Sequence, residues 1–121
     1  MEKEKRELIL DTIGKLDSLH EREDSKVVLD ETSLLFNLFM KNFYGIRKEM
    51  TSDEMVDFLS RKPLKEKELL ISLVSLIDLL SYNMHDPPID KVRVLLSEMI
   101  KSIKLIEVTH LEEKKEVEQK E

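Results

Sequence analysis

Residues 68–82, ELLISLVSLIDLLSY, decide the fold class. On a 3.6-residue period Ser72, Ser75 and Asp78 fall near one line, while Leu69, Leu70, Ile71, Leu73, Val74, Leu76, Ile77, Leu79 and Leu80 wrap the remaining face. Such a helix suits the middle of a bundle or a membrane, and length separates the two. A bilayer span needs about 20 consecutive apolar residues, far more than lie between Glu68 and Asp78. The expectation is therefore an all-α, compact bundle of about five helices around a buried central helix spanning residues 64–82.

The rest of the composition agrees. A chain of 121 residues is one domain by length. With no cysteine, disulfide scaffolds, thiolate zinc sites and cysteine nucleophiles are excluded together. The opening MEKEKRE lacks the apolar segment of a secretory signal, so the expected location is cytoplasmic, or the cytosolic face of a membrane reached through partners. A formal net charge of −6 argues against free nucleic acid as a partner, because phosphate binding needs clustered cations. Charged residues make up 38% of the chain, which a helical protein places on solvated outer faces. Two glycines, three prolines and no alternating segments bounded by Asn-Gly or Asp-Gly leave all-α as the class.

Outward from the central stretch, Ile9, Ile13, Leu16 and His20 recur every three or four residues and predict a first amphipathic helix over about Lys5 to His20. Gly14 lies within it and suggests close packing there. Asp24 or Ser25 can cap a second helix from about Lys26 to Phe43. Leu35, Phe36, Phe39, Met40 and Phe43 give that helix a dense face to lay on the central one. Gly45 marks its stop. Thr51-Ser-Asp-Glu54 is a capping box opening a short third helix that ends before Pro63. Leu64 then begins the central helix, with Lys65 to Glu68 as its exposed first turn.

Pro87 and Pro88 suit the entrance of a last helix. Its seam of Ile89, Val92, Leu96, Met99, Ile103 and Ile106 would lie antiparallel to the central helix. The bundle domain is read as residues 1–106, and residues 107–121 as a charged tail, disordered or a fraying extension.

No catalytic, cofactor or metal site is expected. His20, His85 and His110 lie in three different regions, and no two of these histidines stand at the spacing that puts both on one helix face. Arg61, Lys62, Lys65 and Lys67 are interleaved with Glu66 and Glu68, which reads as ordinary surface. The candidate partner-binding residues are Tyr82, His85 and Asp86, on the double-proline connection beside the short third helix.

The succession FYGIRKEMTSDEMVDFL (residues 43–59) and LLSYNMHDPPIDKVRVLL (residues 79–96) resembles the helical cytosolic domain of membrane proteins associated with MoxR-type AAA+ ATPases and von Willebrand factor A-type proteins. Similar domains stand at the C-terminus of membrane-bound transglutaminase-like proteins. Gly45-Ile46, Thr51 with Glu54, Tyr82, and Pro88 with Asp90 carry the resemblance, which covers about Arg6 to Ile106. It implies a non-enzymatic module that docks on proteins of a membrane-associated assembly, and it transfers no catalytic residue. This chain departs from the pattern in having no membrane span. The alternative reading is a small helical accessory subunit of a nucleoprotein complex, a role that wants a basic face. A hydrolase would need a cleft that the residues do not announce.

Overall fold

Local backbone chemistry sets the helix boundaries. In the computed structural model, which describes residues 2–83 and 86–120, α1 runs Lys3–Ser18 and closes in a 3-10 turn at Leu19–Glu21. Helix α2, Ser25–Tyr44, begins where the Asp24 carboxylate accepts the Val27 N–H at 3.3 Å. It stops at Gly45, whose φ of 69° is the left-handed geometry that closes a helix, with its N–H donating to the Lys41 carbonyl. Helix α3, Ser52–Ser60, opens on the capping box. The Glu54 N–H donates to the Thr51 hydroxyl and the Thr51 N–H donates to the Glu54 carboxylate, each at 3.2 Å. The Thr51 N–H, then the Thr51 side chain, hold the Glu54 carboxyl below its usual range, with Lys48 adding to the effect. Helices α4, Lys67–Asn83, and α5, Ile89–Lys120, complete an all-α bundle.

Three contacts fix the directions. Lys5, near the start of α1, lies over the ring of Phe43 at the end of α2, so these helices are antiparallel. Ser25, at the start of α2, bonds Asp86 just beyond α4, while Tyr44 at its end bonds Glu66 just before α4. The bundle thus has two ends, one gathering Tyr44, Glu66 and His110 and the other the α4–α5 turn. The last helix returns antiparallel to α4, as its seam predicts.

The deepest line of the core belongs to α5. Val92, Leu95, Leu96, Met99 and Ile106 are fully enclosed, and Ser102 and Ile103 are nearly so. Helix α4 buries Leu70, Leu73, Val74 and Leu80, holds Leu69, Ile71, Leu76 and Ile77 half-buried, and leaves Leu79 exposed. It packs against α3, α5 and α2, whereas α5 meets α1, α4 and α2. Helix α2 as a whole meets α1 more extensively than it meets α4. Burying each large apolar side chain contributes about 1.5–3 kcal/mol. Thr12, Thr32 and Ser102 bury their hydroxyls by donating to carbonyls one turn back, at 2.7, 2.7 and 2.6 Å. Every buried side-chain nitrogen and oxygen among the described residues has a partner.

The sequence-based boundaries need four corrections. Helix α4 starts at Lys67, because the chain after Pro63 first makes a turn in which Lys67 N–H bonds the Leu64 carbonyl. Within that turn Glu66 is buried, not exposed. Gly14 is exposed, and a Cβ there would meet nothing within 4 Å, so it marks no close packing. Helix α5 continues past Ile106 and carries His110 into contact with the bundle.

Candidate functional site

Two of the three residues singled out from the sequence, Tyr82 at the end of α4 and Asp86 before α5, are described. Tyr82 is 87% exposed and Leu79, three residues earlier on the same helix face, 54% exposed. Ser72 and Ser75 continue that outward stripe, so two of the three polar positions of α4 are exposed. Asp78, further round, accepts the Ser52 hydroxyl at 2.7 Å and fastens the start of α3 to the last third of α4. Asp86 is exposed, and its Oδ1 accepts the hydroxyl of the buried Ser25 at 3.0 Å. Pro87 is buried, and the Pro88 carbonyl accepts the N–H groups of Lys91 and Val92 at 3.0 and 3.2 Å. The turn is thus tied to α2 on one side and to the first turn of α5 on the other. His85, the third candidate, lies outside the described residues.

The opposite end holds a polar cluster that the sequence reading missed. The Tyr44 hydroxyl donates to Glu66 Oε1 at 3.0 Å, and His110 Nε2 lies 3.2 Å from the same oxygen. His110 also stands edge-on to Phe43, with ring centroids 5.1 Å apart, and Phe43 stacks on Phe39 at 5.0 Å. Burial, then the charge of Glu66, pushes the Tyr44 phenol far above its usual range, so the group stays a hydrogen-bond donor. Both groups converge on one carboxylate oxygen inside the packed end, and the cluster joins α2, the turn before α4, and α5. A mechanical role follows from that arrangement: it is a clasp on the far half of α5.

One signal for this cluster was present in the sequence. His110 falls four residues after Ile106 and seven after Ile103, in register with the α5 seam, but its polarity placed it in the tail. Nothing in the sequence alone distinguished Glu66 from its exposed charged neighbours. Of the basic residues around it, Arg61 pairs with Asp57 at 3.1 Å and Lys62 covers the Phe58 ring.

Among the described residues no group of three or more His, Asp or Glu side chains could hold a metal ion. No described helix is long and apolar enough to cross a membrane. No protein-family model matches the chain, and neither a characterised protein nor a solved structure is significantly similar to it.

Proposed function

We propose that the chain is a non-enzymatic protein-interaction module whose docking surface is the end of α4 and the α4–α5 turn. The observation that carries this reading is the outward Leu79–Tyr82 face at the end of α4, with Asp86 at the entrance to α5 held to α2 through Ser25. A tyrosine offers large contact area with few rotamers to freeze, and a helical backbone has little entropy left to lose on binding. The buried carboxylate at the other end supports the same reading, since its acceptor oxygen is engaged by Tyr44 and His110 and serves packing. The resemblance stated above supplies the kind of assembly, a membrane-associated one containing a MoxR-type ATPase or a von Willebrand factor A-type protein.

The test is affinity capture from the cytosolic and membrane fractions of native cells, using the wild type beside a folded Leu79→Ser/Tyr82→Ala variant. The reading expects the ATPase or the von Willebrand factor A-type protein with the wild type and its loss with the variant. A variant that keeps its native circular dichroism and retains every partner would move the surface elsewhere.

A further inference from the structure

A second surface, distant in sequence from the α4–α5 turn, lies where the outer face of α2 meets the connection between α2 and α3. Leu34 and Leu38, one turn apart on α2, are 52% and 44% exposed and form one side of a groove of about 390 Å³. Ile46, Met50 and Met55 complete its apolar lining. A narrower slot shares Asn37, Met50 and Met55 with the groove and runs inward to Phe36, Val74 and Ile77. The lining is soft, since two methionines with several rotatable bonds can adjust to an inserted side chain.

The rim is charged against the trend of the molecule. Lys41, Arg47 and Lys48 line the groove with Glu49 as its one acid, a local balance of +2 (three minus one) in a chain of formal net charge −6. Lys48 spends its charge on Glu54 at 3.6 Å, whereas Lys41 and Arg47 make no ion pair among the described residues. An apolar floor beneath unpaired cations is electrostatically complementary to one kind of partner.

We infer that this groove binds an acidic amphipathic helix of a partner protein. The α2 side of the groove, from Leu34 to Lys41, spans seven residue steps, or about 10 Å at 1.5 Å each. That length matches two turns of a docked helix, with apolar residues at i, i+3 or i+4, and i+7 over the leucines. Glu or Asp on the flanks of that helix would meet Lys41 and Arg47.

Selection from a displayed helical peptide library tests this directly. The apolar face is fixed as Leu at the i, i+4 and i+7 positions, and every other position varies among Glu, Lys, Gln and Ala. The chain's overall charge favours lysine-rich peptides, and the groove favours glutamate-rich ones, so the two origins of binding separate by sign. The inference expects enrichment of Glu-rich peptides whose amide shift changes centre on residues 34–50 and Met55. It further expects at least tenfold weaker binding by Leu34→Asp and by Lys41→Glu/Arg47→Glu, each checked for native circular dichroism. Enriched peptides that are Lys-rich or that footprint elsewhere would overturn it. So would selection no stronger than against Leu34→Asp, or a stable dimer by sedimentation that covers Leu34 and Leu38.

Discussion

The molecule carries a tyrosine at each end of the bundle, and the two are used in opposite ways. Tyr44 turns inward, gives its hydroxyl to the buried Glu66, and stands edge-on to Phe43 at 4.9 Å. Tyr82 turns outward on the last turn of α4 and makes no hydrogen bond or ring contact among the described residues. The difference teaches how to tell structural polarity from available polarity. Where an aromatic hydroxyl and a carboxylate satisfy one another inside the fold, their removal destabilises the chain; where the ring is left outside on a fixed scaffold, its removal affects only what binds there.

The largest effect expected from this contrast is in packing. Phe43→Ala removes a ring that touches Phe39, Tyr44, His110 and Lys5, and should destabilise the protein by about 3–5 kcal/mol. Leu79→Ala at the other end should stay within about 0.5 kcal/mol. Chemical denaturation of both variants reads the difference, and equal losses would break the comparison.

Tyr44→Phe comes next. Taking one donor from the buried Glu66 should cost about 1–3 kcal/mol, while Tyr82→Phe should cost nothing measurable. The burial of the Tyr44 phenol beside Glu66 gives an alkaline signature. The phenol of Tyr44 titrates higher folded than unfolded, so its contribution is complete below the ordinary phenol range of about 10 and is lost progressively as pH rises beyond it. The gap in stability between wild type and Tyr44→Phe should narrow above that pH. A constant gap would mean that the phenol is not buried beside the Glu66 carboxylate in the folded protein.

The legibility of these regions in the sequence follows their physics. Helix stops and starts were readable because caps are local: Gly45 supplies the left-handed residue, and Thr51 with Glu54 forms the box within four consecutive positions. The seam from Val92 to Ile106 was readable because burial repeats with the helix period. The depth of α4 was overread, since its apolar positions exceed what α2, α3 and α5 cover, and Leu79 remains outside. The cluster of Glu66 with Tyr44 and His110 was not read at all. It joins residues 22 and 44 positions apart, and no local pattern marks a carboxylate that will meet its donors only after folding.

Thr51→Ala should cost about 1 kcal/mol, measured in the same denaturation series. The Glu54 carboxyl titrates below its usual range when folded, so this cap contributes above that range and is lost as pH falls through the folded value. Wild type should therefore lose more of its margin in acid than Glu54→Gln does, since that variant carries no titrating carboxyl at the box. The smallest effect expected is a gain: Gly14→Ala should stabilise α1 by roughly 0.5–1 kcal/mol, because the position is helical, exposed and open to a Cβ. A loss there would reveal a neighbour to α1 outside the bundle and a third surface in use.

The central claim is that the open end, and not the clasped end, meets the partner. Photo-crosslinking in native cells tests it most directly, with p-benzoylphenylalanine placed at Tyr82 in one strain and at the exposed Lys62, near the clasped end, in another. The account predicts a discrete protein adduct from position 82, abolished by Leu79→Ser, and none from position 62. An adduct from position 62 with none from position 82 would contradict it.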